Sequence, residues 1–143
     1  MSDASSALIE ALDGYVDAGR DALITARKSL GVSELEARAI RSIGAHPGIR
    51  PSLLREHLDV TSAGVTTLVD RLVGRGVLRR ELDVEDRRVN HIYLEIDLNA
   101  EPWSALRRFE VEAQAAIHAE SSDASRAFAE MLRRVTARAR ATL

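Results

Sequence analysis

The chain has 143 residues, 45% of them hydrophobic, with a formal net charge of −2 and no cysteine. That length suits one domain with a real core, and the composition excludes wholesale disorder. Lack of cysteine excludes a disulfide framework, a thiol sensor, a cysteine–zinc site and a cysteine nucleophile.

No apolar run approaches the ~20 residues of a membrane span, and MSDASSALIEALDG has no basic stretch leading into a hydrophobic one. A cytoplasmic protein without membrane contact is expected. Charge is unevenly placed. Met1 to Ile24 carries Asp3, Glu10, Asp13, Asp17 and Asp21 against Arg20, whereas Arg126 to Leu143 carries five arginines against Glu130. Between Arg50 and His91 eight arginines meet seven acids, so a basic face there must come from geometry rather than bulk charge. The basic residues are arginine throughout except Lys28. This usage points to a GC-rich bacterial genome.

In chain order, residues 4–30 read as a long helix, with Leu8, Leu12, Tyr15, Ala22 or Leu23, and Ala26 recurring at helical steps. Gly14 and Gly19 each weaken it by roughly 1 kcal/mol relative to alanine, or admit a neighbouring helix. Gly31 ends it. Ser33 and Glu36 form a capping box for a second helix that buries Leu35, Ala39, Ile40 and Ile43. His46-Pro47-Gly48 breaks that helix. A short third helix starts at Pro51 and runs to Leu58, its apolar side Leu53, Leu54 and Leu58.

Thr61 or Ser62 caps a fourth helix to about Arg75, buried along Val65, Leu68, Val69 and Leu72. Its other face is Ser62, Ala63, Thr66, Thr67, Asp70 and Arg71. After Gly76 the period falls to about two, and VLRREL and HIYLEI read as strands around the polar turn DVEDRRVN. Pro102 opens a fifth helix with Trp103, Leu106, Phe109, Ala113 and Ile117 on one side. A sixth begins near Ser122 or Asp123, with Phe128, Leu132, Val135, Ala139 and Leu143 at close to 3.5-residue spacing. The fold class expected is mainly α with a small β-hairpin wing. The order of helices and hairpin is that of a winged helix-turn-helix flanked by terminal amphipathic helices.

PSLLREHLDVTSAGVTTLVDRLVGRGVLRRELDVEDRR resembles the core of the MarR family of bacterial transcription regulators, most closely in LVDRL…GRGVLRRE and DVEDRR. The resemblance runs from about Gly31 to Ile96. It implies a single domain over 1–143, with a DNA-binding lobe at about 31–96 and a helical dimerisation region at about 4–30 and 102–143. The implied partners are a second copy of the chain and double-stranded DNA with a near-palindromic operator. The implied function is sequence-specific repression, relieved by a small-molecule effector.

A major groove admits a helix whose small polar side chains let its backbone come close, so Ser62, Ala63, Thr66, Thr67 and Arg71 are the candidate major-groove readers. The resemblance sends one arginine of the wing, Arg87 or Arg88, into the minor groove, with Asp70 and Asp86 bracing the wing. Arg50, Arg55, Arg75 and Arg79 are candidates for the phosphate backbone, with only one of Arg79 and Arg80 expected to face DNA. The chain departs from the family pattern at three places. Arg55 stands where a small alanine is usual, Thr67 where a basic residue is common, and LEIDLNAEPW replaces the usual LTxxG.

His46, His57, His91 and His118 lack metal-ligand spacing, so no metal and no cofactor are expected. An effector would be a small aromatic or anionic molecule in a cleft that Tyr15, Trp103 and His118 could line, although core packing is the plainer role for Trp103. No converging acids or phosphate-binding glycine loop suggest an enzyme. The competing function is a winged-helix protein-interaction module that does not bind DNA.

Overall fold

The computed structural model describes residues 3–143. Its elements are α1 (Asp3–Leu30), α2 (Glu34–Ala45), α3 (Pro51–Leu58), α4 (Ser62–Gly74), β1 (Leu78–Leu82), β2 (Asn90–Leu94), α5 (Arg108–His118) and α6 (Ser122–Arg140). The chain forms two compact units that divide after Phe109.

Each start and stop in the first unit has a local cause. α1 ends at Gly31, whose φ of +65° is open to glycine and costly for other residues. The capping box of α2 is complete: Ser33 N donates to Glu36 Oε2 (2.8 Å) and Glu36 N donates to Ser33 Oγ (3.1 Å). Pro51 opens α3, and the Thr61 hydroxyl caps α4 by accepting from Gly64 N at 3.0 Å. α4 buries Val65, Leu68, Val69 and Leu72, the stripe expected from its period.

α2, α3 and α4 close around a core whose fully buried members include Ile40, Ile43, Leu54, Val69, Leu72, Leu78 and Ile92. β1 and β2 pair antiparallel from Leu78↔Leu94 to Leu82↔Asn90. Ile49 adds a bridge to Ile92, so the turn ahead of α3 is joined to the base of the hairpin. Three helices followed by this anchored hairpin make a winged helix-turn-helix.

Three details differ from the sequence expectations. Leu53 is exposed, because Leu54 and Leu58 already share the inward face of this eight-residue helix and Leu53 lies about 100° round from Leu54. Leu35 is half-buried, while Glu36 and Ala37 are buried. The helix expected from Pro102 is a 3₁₀ turn over Trp103–Leu106, and α5 begins only at Arg108. α6 starts at Ser122, as expected, with Ser121 as its cap accepting from Ala124 N at 3.2 Å.

α1 buries only Ala26 among its described residues, and Ile9, Tyr15 and Val16 are exposed. Gly19 lies under the Phe109 ring, where an added Cβ would come within 3.1 Å of it, and Tyr15 packs on the same ring at 5.3 Å between centroids. In the second unit α6 buries none of its residues. Phe128, Leu132 and Val135 stand exposed along it at helical spacing. No described helix is long and apolar enough to cross a membrane.

Candidate nucleic-acid interface

Outward on α4 stand Ser62, Ala63, Thr66, Thr67, Asp70 and Arg71, all exposed. Thr66 Oγ1 donates to Ser62 O at 3.0 Å, so its hydroxyl faces the surface as an acceptor and its methyl as a small apolar contact. Beside this face a depression of about 360 Å³ runs to the start of α2, lined by Ala63, Thr67, Arg71, Ser33 and Glu36 among others. Glu36, only 4% exposed, is a buried charge with two obligations. Its Oε2 caps α2, and its Oε1 accepts from Arg71 Nη1 at 3.3 Å. The sequence displayed Glu36 as a cap alone; its link to Arg71 joins residues 35 positions apart and leaves no local signature.

The wing is ordered by carboxylates. Asp83 Oδ1 accepts from Glu85 N (2.9 Å) and Asp86 N (3.0 Å), turning the loop. Asp83 Oδ2 lies 2.8 Å from His91 Nε2, and His91 Nδ1 lies 2.8 Å from Gly48 O. The hydrogen bond from His91, with the two backbone amides, holds the Asp83 carboxyl down to about 2. Asp86 clasps Arg88: Oδ1 accepts from Arg88 Nε (3.0 Å) and N (3.1 Å), and Oδ2 from Nη2 (3.3 Å). These bonds lower the Asp86 pKa. The Arg88 side chain is nonetheless 91% exposed, so one edge is held and the rest projects outward.

Arginines named in the sequence fall into two groups. Arg87, Arg50 and Arg55 have no side-chain hydrogen bond or ion pair among the described residues, and Arg50 lies near enough to Asp86 to lower its pKa. The others are engaged. Arg75 donates to Gly31 O (3.0 Å) and Leu30 O (3.1 Å), binding the end of α4 to the end of α1. Arg79 pairs with Glu81 (2.8 Å) and Glu95 (3.3 Å), which raises its pKa, and lies over the Tyr93 ring at 4.6 Å. Arg80 pairs with Asp70, tying β1 to α4. Arg55 is half-buried, in keeping with a stem laid along the lobe. Among the described residues no group of three or more His, Cys, Asp or Glu could hold a metal ion.

An exposed helix face of small polar side chains, followed by a hairpin presenting an oriented arginine, suits groove recognition. The model of the MarR family matches residues 30–89, the segment that contains both. Over that stretch, less than half of the chain, the sequence is similar to the MarR family. Solved structures also share its architecture. MepR of S. aureus bound to ethidium bromide superposes with a TM-score of 0.69 at 16% identity, covering 92% of this chain and 94% of that one. FabT of Streptococcus pneumoniae in complex with DNA gives 0.64 at 22% identity, covering 94% and 99%. Apo MarR from E. coli gives 0.60 at 19% identity, covering 90% and 95%. At these identities the likeness is one of fold. No match is found among curated protein sequences. The matched segment ends within the wing, one residue beyond Arg88.

Proposed function

We propose that the chain is a DNA-binding transcription regulator of the MarR type and acts as a homodimeric repressor, with α4 in the major groove and the wing in the adjacent minor groove. The observation that carries the reading is the Asp86–Arg88 clasp. It pre-orients one arginine at the tip of an exposed hairpin, which lowers the ordering cost of inserting it. Arg88 is therefore the minor-groove arginine, and Arg87, with no side-chain partner among the described residues, is assigned to phosphate. Ser62, Ala63, Thr66 and Thr67 take the base edges. Arg71 works from its tether on Glu36 and reads at the margin of that face. Arg50 and Arg55 join Arg87 on the backbone, while Arg75 and Arg79 keep their internal partners.

Homodimerisation is supported by the exposed apolar residues of α1 and by those of α6, each of which a second copy would cover. An operator with two half-sites follows from two such lobes. FabT is seen with DNA and MepR with an aromatic ligand, which supports release by a small aromatic effector.

The test is selection of duplexes from random DNA by the purified protein, followed by binding at two or more salt concentrations. Three phosphate-seeking arginines per protomer make six contacts, and the log–log salt slope expected is about −5. The engaged state of Arg71, Arg75, Arg79 and Arg80 favours one other reading, a protein-interaction module. Equal, salt-insensitive failure on every duplex would establish that reading and overturn the regulator.

A further inference from the structure

His91 touches two groups that can only accept. Gly48 O is a backbone carbonyl and Asp83, held down to about 2, is a carboxylate at any physiological pH. A neutral imidazole has one N–H and satisfies one of them. Only the imidazolium donates at both nitrogens, at 2.8 Å on each side.

The two acceptors belong to different parts of the lobe. Gly48 lies in the turn before α3, where its φ is +81° and the Tyr93 hydroxyl occupies the space a Cβ would need. Asp83 organises the wing loop through Glu85 N and Asp86 N, and Asp86 in turn clasps Arg88. The chain of contacts therefore runs from the helix-turn-helix through His91 and Asp83 to the projecting arginine. Below the ring, backbone bonds fix the hairpin base: Gly48 N donates to Ile92 O and Ile92 N to Ile49 O, both at 3.0 Å. Beyond the ring, no other side-chain hydrogen bond among the described residues joins the wing loop to the lobe, and the Arg50 charge at the start of α3 acts on Asp86 through space.

We propose that His91 is a positioning residue for the wing: as an imidazolium it clamps the wing loop to the turn before α3, and DNA affinity falls as the ring loses its second proton. The proposal rests on the DNA-reading role of the wing. Around the ring stand Asp83 from the loop, Glu81 opposite on β1 with its carboxylate on Arg79, and Arg50 at the start of α3. The Asp83 bond raises the His91 pKa above its ordinary 6.5, the Gly48 bond adds to this, and the Arg50 charge opposes it. A histidine raised in this way holds its contacts fully below the ordinary value and loses them as pH rises through the higher one. The clamp is thus closed below the ordinary imidazole value and opens as pH rises through the higher one.

Two measurements test it. Ring ¹⁵N shifts of His91, followed in the full chain from about pH 5 to 9, should show both nitrogens protonated at the acid end and a midpoint above that of free histidine. Asp83→Asn should lower that midpoint. A midpoint at or below the free value would overturn the clamp. Anisotropy titrations with a duplex selected by the protein should then show wild-type affinity falling about three- to tenfold more than that of His91→Gln between roughly pH 6 and 8. His91→Arg, a cation with several donors at every pH, should retain affinity at the alkaline end. Identical pH profiles for wild type and His91→Gln would overturn the positioning role. Failure to select any DNA at any pH would overturn the regulatory function, while a raised midpoint in the same sample would still uphold the clamp.

Discussion

Removing the Arg88 side chain isolates what the wing contributes to DNA binding. The side chain is 91% exposed and its one partner is Asp86, so Arg88→Ala should leave the folded lobe and its unfolding midpoint essentially unchanged. An arginine that makes a specific groove contact accounts for about 1–3 kcal/mol, or about tenfold per wing. Two wings far apart act additively, giving roughly a hundredfold loss for a dimer. Asp86 sharpens the test because its two effects oppose each other. Asp86→Ala frees Arg88 from its clasp and should weaken binding about two- to tenfold through lost pre-orientation. The same change removes a negative charge beside the phosphates. In an Arg88→Ala background it should therefore leave affinity unchanged or improve it. Fluorescence anisotropy at one fixed ionic strength, with all four proteins on one selected duplex, measures the cycle. Two results would refute the reasoning: full affinity in Arg88→Ala, or an equal effect of Asp86→Ala in both backgrounds.

Other expectations concern folding and assembly. Ile92→Ala, at a fully buried position where β2 meets both β1 and Ile49, should cost about 2–5 kcal/mol in urea unfolding. Ser33→Ala should cost about 1 kcal/mol by removing the acceptor for Glu36 N, and Glu36→Ala should cost more than Glu36→Gln, which still offers Ser33 N an acceptor. Phe128→Glu combined with Leu132→Glu, both exposed on α6, should shift the sedimenting species toward the monomer; an unchanged mass would remove α6 from the proposed interface.

The parts of the fold legible in the sequence were those with local causes. The box Ser33–Glu36, the proline at the start of α3, the stripe Val65–Leu72 and the glycine stops each act within a few residues, so pattern alone located them. Trp103 to Ile117 misled because helical spacing survives a 3₁₀ turn, and nothing in residue spacing marks the break at Arg107. The candidate site was legible as a set of side chains and opaque as a set of contacts. Arginine is versatile, and composition cannot say which guanidinium meets an acid inside its own lobe. Arg75 on Leu30 O spans 45 positions and His91 on Gly48 O spans 43, and such pairings exist only once the chain has folded. His91 was set aside as a metal ligand by its spacing, and the same spacing concealed its two acceptors.

The bonds from Arg75 to the carbonyls of Leu30 and Gly31 bear on how the reading helix is aimed. They lie at the opposite end of α4 from the cap at Thr61, away from the side chains that would face the bases. α4 is therefore a rod pinned at its far end to the last turn of α1. A few degrees of tilt at that joint, multiplied along thirteen residues at about 1.5 Å each, displace the reading tip by an ångström or more. On the proposed DNA-reading role, changes at Arg75 and the end of α1 would re-aim α4 without altering any side chain of its exposed face.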